Sequence, residues 1–308
     1  MSLHVVIGAG PVGSGTAQLL ATRGDRVRVI TRRGSGLDHP LVERIAADAT
    51  DAAVLSRHCA GADVVFQCAQ PRYHRWAIDF PPLAAAALHA AEVNGAGLLS
   101  VGNLYGYGQV DGPITERQPL RPNSAKGRVR AKLWAEALAA HEAGRIRTAE
   151  VRGSDYIGAG AKSAFTVAAL PAVLAGRRVL FPGDLDTAHS WTDVGDTART
   201  LVAVADDENA WGRAWHTPTA PPTSIRELAE LTATVAGARP ARVHRMPAAM
   251  LWAAGLFDPD ARELPELRYQ FDRPFVIDSS AATAEFDIEP TPTADALRAT
   301  IAALRANR

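Results

Sequence analysis

Apolar and polar residues alternate along this chain with two different periods. Short, largely β-branched runs recur at residues 5–7, 26–30, 43–46, 63–67, 97–101, 148–151 and 214–216, each of strand length. Between them lie alanine- and leucine-rich stretches at 14–23, 52–59, 78–94, 128–143 and 194–205, whose apolar residues recur every three or four positions, as on one face of a helix. Strand and helix in repeated succession predict an α/β fold with a doubly wound parallel sheet covered by helices on both faces. The texture changes beyond residue 217. Pro218, Pro221 and Pro222 form a link, and Ser224 with Glu227 makes a capping-box start for a helix to about residue 236. A strand near 242–244, helical pieces at 248–257 and a last helix at 295–305 follow.

The first strand runs directly into Gly8-Ala9-Gly10-Pro11-Val12-Gly13, with a helix behind it. In that order the first glycine permits a tight turn and the second lets backbone approach a ligand. The third lets helix and strand pack closely, so the helix N-terminus faces the negative charge of a dinucleotide pyrophosphate. The sheet is therefore expected to be of Rossmann type. Residues 1–155 would form the dinucleotide-binding domain, with 187–216 returning to it, and 156–186 and 217–308 a smaller C-terminal α/β part for substrate. The second strand ends at Thr31-Arg32-Arg33, where a unit selective for NAD carries a carboxylate. Two arginines and no acid there favour a 2′-phosphate, hence NADPH over NADH.

Composition narrows the rest. The 308 residues are 47% hydrophobic, and 33 basic residues balance 33 acidic ones. Zero net charge supplies no global field for nucleic acid or an anionic membrane, so neither is expected as a partner and a cytoplasmic protein acting on a small molecule is. Two cysteines, Cys59 and Cys68, and nine histidines without metal-ligand spacing predict neither a disulfide framework nor a metal site. Only three basic residues are lysines, Lys126, Lys132 and Lys162, against thirty arginines. A lysine kept in such a background invites a lysine-specific role.

In an open α/β sheet, ligands lie over the carboxyl ends of the strands, and the segments there carry a resemblance. GAGPVG, Asp48-Ala49-Thr50-Asp51 (expected at the adenine), Phe66-Gln67-Cys68-Ala69 (expected at the nicotinamide ribose), the stretch Ser100 to Gly106, Lys132 to Glu136 and His189 to Ala198 together resemble the extended and atypical short-chain dehydrogenase/reductases, the NAD(P)-dependent epimerase/dehydratase-like superfamily. The resemblance implies that Asp48, Ala49, Cys68, Ala69, Gln70, Val101, Lys132 and Asp155 join the glycine turn, Thr31, Arg32 and Arg33 in holding the cofactor. It also implies homodimer pairing through the helices at 78–94 and 128–143.

That family works through a Tyr-x-x-x-Lys helix, in which lysine bonds the nicotinamide ribose and tyrosine handles the proton. Four residues before Lys132 stands Arg128, which cannot give up a proton near neutrality. Lys132 is thus expected to position the cofactor, Lys126 and Lys162 to be exposed, and Tyr73, Asn103 or Tyr156 to stand in as proton source. The expected activity is an NADPH-dependent ketoreductase-like reduction of a mostly apolar small molecule, one type of which would be polycyclic aromatic. Trp191, Trp252, Leu256, Phe257, Tyr269 and Phe271 would line its site. The alternatives are an NAD-dependent sugar-nucleotide epimerase or dehydratase, and a non-catalytic NADP(H)-binding sensor.

Overall fold

A computed structural model describes residues 1–306. Its strands are β1 (Leu3–Ile7), β2 (Arg26–Thr31), β3 (Val42–Ala46), β4 (Val64–Gln67), β5 (Gly97–Asn103), β6 (Thr148–Gly153), β7 (Asp155–Ile157), β8 (Arg178–Phe181), β9 (Trp191–Asp193), β10 (Ala214–His216) and β11 (Arg242–Arg245). The helices are α1 (Pro11–Thr22), α2 (Ala52–His58), α3 (Trp76–Asn94), α4 (Ala125–Glu142), α5 (Leu170–Leu174), α6 (Val194–Asp206), α7 (Ile225–Ala236), α8 (Ala248–Phe257), α9 (Pro259–Arg262), α10 (Tyr269–Asp272), α11 (Ser280–Phe286) and α12 (Thr293–Ala306).

Seven parallel strands form the main sheet in the order β3-β2-β1-β4-β5-β6-β10. The order reverses beside β1, so a crevice opens between the loops after β1 and β4, where such folds bind ligands. Both faces of the sheet are covered, which is why its strands read as continuous apolar runs. On β1, Val6 points into a core shared with α1 and α6, while Val5 and Ile7 point into one shared with α2, α3 and α4. The smaller part has its own core, with Phe165, Phe181, Trp191, Leu228 and Leu297, and carries the two short pairs β8–β11 and β7–β9. The chain returns to the main sheet at β10 and again at α11, whose Ala282 and Phe286 pack on the α1 and α6 side.

Helix α4 starts at Ala125 rather than at residue 128, because the Ser124 side chain accepts from the Gly127 N–H and caps it there. Helix α3 likewise starts early, at Trp76, and runs through Pro81 and Pro82. Under β6 lies a buried polar chain. Arg152 donates to Glu150 and to the Tyr107 hydroxyl, both at 2.6 Å. That hydroxyl meets His216 Nε2 at 2.8 Å, and the other ring nitrogen donates to the Asp278 carbonyl at 2.8 Å. Among the described residues no helix is long and apolar enough to cross a membrane, and no group of three or more His, Cys, Asp or Glu could hold a metal.

Candidate active site

The glycine turn shows why each glycine stands where it does. Gly8 has φ +97°, and a Cβ there would lie 2.8 Å from the Ala69 backbone. One on Gly13 would lie 2.1 Å from the Gly8 carbonyl oxygen and 3.1 Å from Cys68. At Gly10 an added Cβ would meet nothing within 4 Å. Gly8 and Gly13 are thus needed for packing, whereas Gly10 leaves room at the start of α1. No side chain caps that helix, so its first amides face the opening, Pro11 having none to offer. These features fit a pyrophosphate.

The adjoining strand ends present their residues to the same edge. Arg32 and Arg33 are exposed and, among the described residues, make no ion pair, and the Thr31 hydroxyl donates to the Ser35 carbonyl at 3.0 Å. Asp48 accepts from the Thr50 N–H and hydroxyl at 3.0 and 2.8 Å. Those bonds, and more weakly Arg32, hold its carboxyl below the usual range. Ala49 and Ala69 are half-buried and Gln70 is exposed. Burial pushes the half-buried Cys68 thiol up to about 12, which leaves it inert as a nucleophile.

Lys132 does not reach this edge. Its side chain is 66% exposed and pairs with Glu136 at 3.6 Å on the outer face of α4. The reason is helical geometry. Residues 126, 130, 133 and 137 follow the inward face, and 132 lies about 200° around the axis from 130. The inward pair with the family's spacing is Lys126 and Arg130. Arg128 is exposed, whereas Lys126, expected at the surface, has a side chain only 4% exposed. The Arg130 guanidinium donates to the Val101 carbonyl at 2.8 Å and lies 4.7 and 4.5 Å from the Trp76 and Phe80 rings. No carboxylate pairs with it among the described residues, and burial lowers its pKa.

Around Lys126 the structure gathers the phenols. Its ammonium lies 4.5 Å from the centre of the Tyr73 ring, and the Tyr73 hydroxyl donates to that of Tyr105 at 3.4 Å. Burial, and to a smaller extent the Asp155 carboxylate, raises the pKa of Tyr73, Tyr105 and Tyr269, so all three stay protonated. The Tyr156 side chain is half-buried, and burial pushes its hydroxyl up to about 12. Asn103 is already engaged, its side-chain oxygen accepting from the Tyr105 N–H at 3.2 Å and capping the turn Leu104–Tyr107.

Asp155 belongs to a pair that the sequence alone did not suggest. His189 Nε2 lies 2.9 Å from its carboxylate, and Nδ1 lies 3.1 Å from the Gln270 carbonyl. Both partners accept, so the ring makes both bonds only when both nitrogens carry hydrogen. Two further carboxylates come from the C-terminal part: Glu263 and Glu266 pair with Lys126 at 2.5 and 3.1 Å, and Glu266 also accepts from the Ala125 N–H at 2.7 Å. Lys126-Gly127-Arg128-Val129-Arg130 carries the right i, i+4 spacing with altered residue types, and that was the available signal. His189 opened a segment that carried the family resemblance but had no role of its own there, and nothing in the sequence singled out Glu263 or Glu266.

The model of the NAD dependent epimerase/dehydratase family matches residues 4–215. The chain belongs to that family. No curated protein matches the sequence significantly, while many solved structures share the fold. The Bordetella bronchiseptica enzyme WbmH, in complex with NAD+, is 20% identical over 99% of both chains, with a TM-score of 0.76. UDP-glucuronic acid 4-epimerase from Bacillus cereus, in complex with UDP-glucuronic acid and NAD, is 18% identical over 99% of this chain and 100% of its own, at 0.80. UDP-glucose 4-epimerase from Thermotoga maritima, with UDP-glucose, is 16% identical over 100% and 99%, at 0.78. In this member of the epimerase/dehydratase family, the helix that would carry Tyr-x-x-x-Lys turns Lys126 and Arg130 inward.

Proposed function

We propose that this chain binds a nicotinamide dinucleotide and oxidises or reduces a C–OH/C=O carbon of a sugar-nucleotide-type substrate, with Tyr73 as the proton-handling phenol. The observation that carries the proposal is the placement of Tyr73, with Lys126 4.5 Å from its ring centre, at the same sheet edge as the open Gly10 turn. Family membership and the sugar-nucleotide ligands of the structural neighbours support this substrate class over an apolar ketone. Of the residues expected to line an apolar site, Trp191 and Phe271 are core, Tyr269 is half-buried near Asp155, and Trp252, Leu256 and Phe257 are exposed.

When bound, the cofactor supplies or accepts hydride. The protein's part is to hold it and to manage the proton. The amides at the start of α1 and Gly10 would take the pyrophosphate, Asp48 and Ala49 the adenine side, and Arg130 with the Val101 edge the nicotinamide ribose. We also assign a preference for NADPH to Arg32 and Arg33, which have no carboxylate beside them on β2. Tyr73, kept neutral by burial, donates its proton only to something as basic as a developing alkoxide. Lys126 lies against its ring and stabilises the phenolate left behind.

Replacing Tyr73 by Phe tests the reading. A donor of this kind contributes about 10²–10⁴-fold, so kcat should fall by about that range for a sugar-nucleotide substrate while cofactor Kd and Tm hold. Unchanged kcat removes Tyr73 from the mechanism. Tight cofactor binding without turnover of any sugar nucleotide or carbonyl compound removes the enzyme reading.

A further inference from the structure

We propose that the segment from α8 to residue 268 is a cover latched by charge over Tyr73 and Lys126, and that it opens to admit substrate. The proposal rests on Tyr73 and Lys126 being the reacting site. Three carboxylates of the segment reach across to that site. Asp260 accepts from the His74 N–H at 3.0 Å and lies 2.7 Å from His74 Nδ1, one residue along from Tyr73. Glu263 and Glu266 hold the Lys126 ammonium, which lies against the Tyr73 ring, and Glu266 also accepts from the Ala125 N–H at the start of α4. The acids thus close one side of the site and leave the Lys126 side chain only 4% exposed. Their release uncovers the ammonium and the phenol it packs on, and re-forming the pairs encloses both.

Little besides these contacts holds the segment down. Among its described residues from 249 to 268, only Leu251, Gly255 and Leu267 are buried, while Met250, Trp252, Leu256 and Phe257 are exposed. Arg262 donates to the Gly255 carbonyl at 3.0 Å, and a Cβ added to Gly255 would lie 3.2 Å from Arg262, so α8 and α9 are joined as one piece. Val243 before the piece and Phe271 after it belong to the core of the smaller part. The piece is therefore fixed at its two ends and held by charge between them. A segment with few buried apolar contacts opens at low free energy. The latch adds only a modest restraint, because the side chains of Asp260, Glu263 and Glu266 are 54, 30 and 26% exposed and solvated ion pairs are weak. A weak latch over a reacting group suits gating, since it must yield on each turnover and still exclude water when shut.

The scarcity of lysine makes the cover measurable. Lys132 and Lys162 are exposed and serve as internal references for Lys126. In limited acetylation of the full chain, read by peptide mass spectrometry, Lys126 should react about tenfold more slowly than either reference. Asp260→Ala removes the His74 contact and touches nothing at Lys126. It should nonetheless raise the Lys126 rate about two- to fivefold, the worth of one exposed ion pair, with both references unchanged. Glu263→Gln with Glu266→Gln should raise it further. A parent Lys126 that reacts as fast as Lys132 overturns the latch, and a Lys126 rate unmoved by Asp260→Ala overturns the segment as a single moving piece. Labelling involves no turnover, so it decides the cover separately from the kinetics of Tyr73→Phe, which decide the proton donor.

Discussion

The geometry of the glycine turn predicts opposite outcomes for two substitutions three residues apart. In Gly13→Ala the new methyl would sit 2.1 Å from the Gly8 carbonyl oxygen, roughly 1 Å inside even a weak C–H···O approach. Helix α1 must then move away from β1, and overpacking of this kind costs about 1–3 kcal/mol. At roughly 2–4 °C per kcal/mol for a chain of this size, Tm should fall by about 2–12 °C. Gly10→Ala differs. Its backbone, φ −73° and ψ −179°, suits any residue and its Cβ has open space, so the folding cost is only the poorer N-cap, about 0.5–1 kcal/mol. The methyl instead occupies the approach of the phosphates. Losing one charge-assisted hydrogen bond there is worth about 1.5–3 kcal/mol, or about 10–100-fold in Kd. Calorimetric titration with NADPH and NADH, beside thermal melts, separates the two effects. Parent affinity in Gly10→Ala would show that the pyrophosphate lies elsewhere, and a Tm loss equal to that of Gly13→Ala would refute the open space drawn at Gly10.

The inner and outer faces of α4 should respond differently: Lys132→Ala should leave cofactor Kd within about twofold, while Arg130→Met should raise it about tenfold, with the reverse ranking restoring Lys132 to the site. Changing Arg32 and Arg33 together to Ala should weaken NADPH by about 10–100-fold and NADH little; equal losses for both nucleotides in fluorescence titration would remove the 2′-phosphate role. Burial lowers the His216 pKa from 6.5 to about 4, so as pH falls the unfolded chain takes up the proton first. Stability that is full above pH 6.5 should then be lost between about pH 6.5 and 4, by up to roughly 3 kcal/mol; urea midpoints that stay flat across that window would contradict the buried neutral ring.

The central sheet and its glycine turn were legible in the sequence, because strand period, helix period and turn chemistry are local properties. The glycine spacing by itself pointed to a dinucleotide at the β1–α1 turn. It also located the loops that carry Tyr73, Asn103 and Asp155. Of the short strands outside the main sheet, β11 was read near 242–244, but β7, β8 and β9, three or four residues each with partners far along the chain, were not.

What the tertiary structure decided was which side chains face the cleft and what they meet there. A one-turn difference at the start of α4 separates a helix beginning at 128 from one capped by Ser124, and the inward lysine is Lys126 rather than Lys132. The Lys126 partners, Glu263 and Glu266, lie 137 and 140 residues away, and those of His189 lie 34 and 81 residues away. No local pattern encodes such pairs. Charge followed the same rule: the sequence determined a net of zero, but folding decided which charges meet, as where buried Lys126 lies between Glu263 and Glu266. A sum over residues carries no positions, and electrostatic and apolar surfaces depend on positions.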